Sequence, residues 1–173
     1  MVDLITYVQD GFKGLPEWAA VETIAEKLLA ELNTADTLGR IVAANRPRGA
    51  SQTVQNAFGP AAKALGFESE RTGLFADTIA GLRPDYFLPL AGTGILLEVE
   101  RGKTTTNNMD LLDFWKCHIC GVAHYLFLLV PRELRHNDTM SPKREFDTVA
   151  RRLKPFFEPD RYTNVRGLCL FGY

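Results

Sequence analysis

Apolar residues recur at helical spacing over residues 16–32, where Trp18, Val21, Ala25, Leu28 and Leu32 share one face and Pro16 suits a first turn. The run Arg46-Pro47-Arg48-Gly49 breaks that pattern. Ser51 is then placed to cap a second helix, which Pro60 interrupts or restarts and Gly66 stops. Three strand-like runs follow: a brief alternating one over 67–71, then 83–90 and 95–101. The last two are joined by Ala91-Gly92-Thr93-Gly94, which reads as a hairpin turn. From Asn107 or Asn108, a plausible cap, the chain reads as a helix with Leu111, Leu112, Trp115, Ile119 and Val122 on or near one face. Residues 125–130 are continuously apolar, as in a strand covered on both sides. A helix over about 142–157, with Phe146, Val149, Leu153 and Phe156 or Phe157 inward, and a strand over 167–171 complete the chain. This order predicts an α/β domain with a mixed sheet flanked by helices.

At 173 residues, 46% of them hydrophobic and including 11 Phe, the chain suffices for one domain over 1–173. A net charge of -1 argues against a bulk electrostatic hold on nucleic acid but leaves room for a local basic groove. Three cysteines without framework spacing favour a reducing compartment. The start of the chain lacks the basic and apolar regions of a secretory signal, and 125–131 is far too short to span a bilayer. The expectation is a soluble, cytoplasmic protein without a membrane partner.

The candidate chemistry is acidic. Alternation puts Leu96, Glu98 and Glu100 on one face of a strand and Ile95, Leu97 and Val99 on the other. A hairpin pairs that strand with the one carrying Asp85, so Asp85 is expected beside Glu98 and Glu100. Three converging carboxylates raise one another's pKa values or call for a cation. Mg²⁺, which binds through one or two carboxylates with waters and phosphates, suits such a site. Taken singly, strand-end acids are ordinary solvated charges; the combination with Pro84, the hairpin, Arg101 and Lys103 is more specific.

On these residues the chain resembles the PD-(D/E)XK nuclease superfamily, with Pro84-Asp85 similar to its PD and Glu98-Val99-Glu100 similar to its (D/E)XK. The element order over about 51–131 resembles that superfamily's αβββαβ core, leaving an N-terminal helix and a C-terminal helix and strand as additions. The resemblance implies a restriction-endonuclease-like fold and a Mg²⁺-dependent endonuclease cutting DNA phosphodiesters, with Mn²⁺ able to substitute. It implies Asp85 and Glu98 as metal ligands. Glu100 stands where relatives usually carry lysine, as a third ligand or a general base, and Lys103 would reach back to supply the ammonium. Relatives often add an upstream acid, for which Glu22, Glu26 and Glu70 are candidates. A homodimer with one site per strand would make a double-strand cut. The alternative, favoured by Glu100, is a catalytically inactive nucleic-acid-binding or assembly subunit of the same fold.

Positive charge surrounds this stretch. Arg46, Arg48, Arg71, Arg83, Arg101 and Lys103 fall on loops or strand ends where they could contact phosphates. Lys143, Arg144, Arg151, Arg152 and Lys154 form a second group, either a solvated helix face or a binding surface, and the polar loop 104–108 could donate to a phosphate. Cys117 and Cys120 with His118 and His124 allow a zinc reading, but their apolar surroundings fit core packing better. No P-loop, nucleophile elbow or dinucleotide fingerprint is present.

Overall fold

The computed structural model describes residues 1–46, 50–69, 73–75, 79, 81–102, 104–134 and 141–173. In chain order the elements are β1 (Asp3–Val8), α1 (Pro16–Leu32), α2 (Ala35–Ala44), α3 (Ser51–Ala64), β2 (Glu68–Ser69), β3 (Tyr86–Leu90) and β4 (Thr93–Val99). There follow α4 (Met109–Ile119), β5 (Tyr125–Val130), α5 (Glu145–Leu153) running into a 3₁₀ turn (Lys154–Phe157), and β6 (Gly167–Gly172). One six-stranded sheet, ordered β1-β6-β5-β4-β3-β2, joins elements from both ends of the chain. Strands β4, β5 and β6 run parallel, while β2 and β3 on one side and β1 on the other are antiparallel to their neighbours. No helix among the described residues is long and apolar enough to cross a membrane.

The continuous apolar runs are explained by burial on both faces of the sheet. Ile95, Leu97, Val99, Phe127 and Phe171 pack with Trp18, Leu28, Val54 and Phe58 of α1 and α3. Leu96, Leu126, Leu128 and Leu170 pack on the opposite side with Phe114 of α4 and with Phe146, Val149 and Leu153 of α5. The strands are thus clamped between helical layers, and the end of β4 is fixed from both.

Several expectations are corrected. β1 and α2 have no counterpart in the sequence reading. The first is a six-residue edge strand, and the second is capped by Thr34, whose hydroxyl accepts from the Thr37 amide at 3.4 Å. Ala50, not Ser51, is the N-cap of α3, and Pro60 lies inside that helix without ending it. The strand expected over 67–71 is described only at Glu68–Ser69. The hairpin turn is tighter than four residues: Leu90 pairs with Thr93, and Gly92 takes a φ of +75° that a side chain would resist. Asn108 does precede α4, but in the left-handed region and without a capping hydrogen bond of its own. The largest correction is the rotation of α4. Its buried side is Asp110, Asp113, Phe114, Lys116 and Cys117, whereas Leu112 and Trp115, expected inward, are exposed, as is Val122 just beyond the helix.

Candidate functional site

The site forms where the β3–β4 hairpin meets α3 on one side and α4 on the other. Register places Tyr86 opposite Leu97, so Asp85, one residue before β3, comes level with Glu98. The main chain locks them together. The Asp85 amide donates to Glu98 Oε2 at 3.1 Å, and the Val99 amide donates to Asp85 Oδ2 at 2.8 Å. Gln55 of α3 donates from Nε2 to Asp85 Oδ1 at 2.9 Å. The upstream helix therefore offers an amide to the aspartate. Of the three upstream acids considered, Glu22 instead lines a cavity with Tyr7, Lys13 and Trp18, Glu26 is exposed, and Glu70 lies outside the described residues.

From the other side α4 supplies two groups that the sequence reading missed. Lys116 Nζ stands 2.9 Å from Glu98 Oε1 and 2.8 Å from Asp113 Oδ1, a buried ammonium between two buried carboxylates. Asp113 Oδ2 has no hydrogen-bond partner among the described residues, and the Glu100 carboxyl is a close enough neighbour for each to shift the other. Four carboxyl groups thus gather around one ammonium. Asp85 and Glu98 are in contact, and Glu100 lies within electrostatic reach of Asp113, Lys116 and Asp85. Its main chain is pinned by the Tyr173 hydroxyl, which donates to the Glu100 carbonyl at 2.6 Å, and by its own amide donating to Leu129 at 2.8 Å. A signal for the α4 groups existed: positions 110, 113, 114 and 117 also repeat at helical spacing. Two aspartates on that stripe hid it behind the more apolar one.

Burial dictates the electrostatics. Removal from water pushes the Glu98 carboxyl well above its ordinary range, and repulsion from Asp113 adds to this; Lys116 opposes both. Glu100 is pushed up to about 9 by burial and then by Asp113. Asp85 is raised by burial, with the Val99 amide, Lys116 and Gln55 pulling the other way. Asp113 is likewise raised by burial, against Lys116. Burial would lower the Lys116 ammonium, but Asp113 and Glu98 together hold it above its ordinary value.

A cleft of about 410 Å³ opens over Asp85, between Gln52 and Gln55 on one side and Ser69, Arg83 and Pro84 on the other. Arg46 and Arg101 also meet near the end of β4, where the Arg101 guanidinium donates to the Arg46 carbonyl. Arg48, Arg71 and Lys103 lie outside the described residues. Cys117 and Cys120 are buried free thiols packed with Ala123, Leu126 and Leu128, while His118 is turned to Thr163 and Asn164.

The donor set suits a hard cation. Among the described residues no three or more His, Cys, Asp or Glu side chains form a ready metal centre. An ion would instead rest on Asp85 and Glu98, with water and substrate oxygens completing its shell, which is the mode Mg²⁺ prefers. The excess of buried carboxylate over ammonium supplies the electrostatic reason to bind one.

The architecture is that of a restriction-endonuclease-like fold. Over 99% of its length the chain superposes on 77% of the restriction endonuclease BglII, solved in complex with a DNA 16-mer, with a TM-score of 0.52 and 12% identity. Free BglII gives a TM-score of 0.42 at the same 12% identity, over 99% of this chain and 78% of that one. No family model matches the chain. No curated protein matches it in sequence.

Proposed function

We propose that the protein is a metal-dependent endonuclease that hydrolyses DNA phosphodiester bonds, of the restriction-endonuclease type and acting as a homodimer. The observation that carries this reading is the contact between Asp85 and Glu98 at the end of β4, with the Lys116 ammonium 2.9 Å from Glu98. The fold shared with an enzyme solved on DNA supports it.

In this reading Asp85 and Glu98 hold Mg²⁺, or Mn²⁺ in its place, and the ion supplies Lewis-acid polarisation of the phosphate and a water of lowered pKa. Lys116 takes the part first expected of Lys103. Its ammonium orients Glu98 and offsets negative charge at the site. Gln55 and the Val99 amide fix the Asp85 carboxylate. Arg46, Arg83 and Arg101 at the rim would hold phosphates flanking the scissile one.

The test is cleavage of supercoiled plasmid in Mg²⁺ by the wild type and by Asp85→Ala, Glu98→Ala and Lys116→Met. Loss of one metal ligand is expected to lower the rate at least about 100-fold. Undiminished cleavage by both carboxylate variants would overturn the assignment. A second reading is favoured by one observation: Lys116 already neutralises part of the carboxylate charge without any ion. It would suit a non-catalytic subunit that keeps the fold and binds nucleic acid. Magnesium titration separates the two, because the enzyme must bind the ion at millimolar concentration or below.

A further inference from the structure

We infer that the solvent face of α5 and the loop 104–108 stitched to it form a docking surface for the phosphate backbone of duplex DNA on one flank of the cleft. This rests on the nuclease reading above. β4 and β5 are parallel and in register from Ile95 and Tyr125 to Val99 and Leu129, so their C-terminal ends lie side by side. Loop 104–108 lies on the connection leaving the first strand, and the start of α5 follows the connection leaving the second. Both therefore lie at the end of the sheet that carries Glu98 and Asp85.

Four contacts, made by Arg152 of α5 and by Lys143 just before it, tie this helix to the loop and to the start of α4. Arg152 donates to the Thr105 carbonyl at 3.2 Å and to Asn108 Oδ1 at 2.6 Å, and pairs with the buried Asp110 carboxylate at 2.9 Å. Lys143 Nζ donates to Thr106 Oγ1 at 3.1 Å. Arg152 is thus a structural member of this surface. That leaves Lys143, Arg144 and Arg151 exposed, flanked by the hydroxyl and amide groups of Thr106 and Asn107. α5 itself carries as many acids as bases, Glu145 and Asp147 against Arg151 and Arg152, so the positive excess comes from Lys143 and Arg144 just before it. Glu145 is buried, and Asp147 sits in a partly exposed pair with Arg144 at 2.8 Å, of a kind too weak to outbid a phosphate. In a chain of net charge -1 such local excess sets where a polyanion lands, because local field rather than total charge steers it. Lysine, arginine and short polar side chains on one rim are the chemistry of sequence-independent backbone contacts.

The experiment is duplex affinity against salt, measured in Ca²⁺. It compares the wild type, the triple variant Lys143→Ala/Arg144→Ala/Arg151→Ala, and the control Lys13→Ala/Lys27→Ala, whose lysines lie just before and on α1. Neutralising one phosphate contact lowers the slope of log affinity against log salt by about one. The triple variant is therefore expected to lose two to three in slope, equally for unrelated sequences, with its melting temperature lowered by no more than about 4 °C, while the control keeps the wild-type slope. A wild type that binds DNA and a triple variant with the same slope would overturn the surface and leave the nuclease reading standing. Binding of an acidic peptide but not of DNA by the wild type would overturn both.

Discussion

Lys116 is the side chain on which the site turns. It is buried, and it answers two carboxylates that would otherwise be stranded. Removing one partner of a buried ion pair costs more than the pair itself contributes, because the remaining charge must be neutralised in place. Lys116→Met is therefore expected to lower stability by roughly 3 kcal/mol in the metal-free protein, and by less in millimolar Mg²⁺, where a cation takes over the ammonium's task. Chemical denaturation with and without the ion checks this; an equal loss in both would argue that no cation enters. Glu100 makes the complementary case. Held at about 9, its carboxyl is neutral near pH 7, so the isosteric Glu100→Gln should leave cleavage at that pH within about threefold of wild type. The two should part only as pH approaches 9, measurable as a pH–rate profile.

Helix α4 explains how much could be read in advance. The hairpin, the alternation along β4 and the pairing of Asp85 with Glu98 follow from short-range rules, and Glu98 and Asp85 were legible for that reason. β1 was not, because a lone edge strand carries no periodic partner in the sequence. Nor was the facing of α4. Its two stripes differ in hydrophobicity in the wrong direction, since the one that faces the sheet spends Asp113 and Lys116 on the site rather than on packing. The difference is measurable. Phe114 is only 5% exposed and stacks on Phe156 at 4.6 Å between centroids, whereas Trp115 is 52% exposed and touches His118. Phe114→Ala is expected to cost about 3 kcal/mol or more, and Trp115→Ala less than about 1 kcal/mol, by denaturant midpoint. The reverse order would restore the facing that hydrophobicity alone suggests.

The fold as a unit carries the electrostatic strain of its site. Sheet strands and helices on both sides hold Asp85, Glu98, Glu100 and Asp113 out of water together, and all four are raised above their ordinary values. The folded chain then retains protons that the unfolded chain releases above about pH 4. Stability is fully present below that value and falls as pH rises through the folded values, the highest printed being about 9 for Glu100. One group titrating in that window costs at most about 1.4 kcal/mol per pH unit. Lys116, also raised, keeps its contribution throughout this range and loses it only at more alkaline pH. The metal-free melting temperature should therefore decline from pH 5 to pH 9. A bound divalent cation replaces protons as the compensating charge and binds the folded state alone, so the rise in melting temperature given by Mg²⁺ should be larger at pH 9 than at pH 6. Glu98→Gln removes both a proton-binding group and a ligand, and should flatten the pH dependence and the Mg²⁺ effect together. A melting temperature that climbs across this range, or a Mg²⁺ increment indifferent to pH, would mean that the buried carboxylates are already balanced by Lys116 and have no use for an ion.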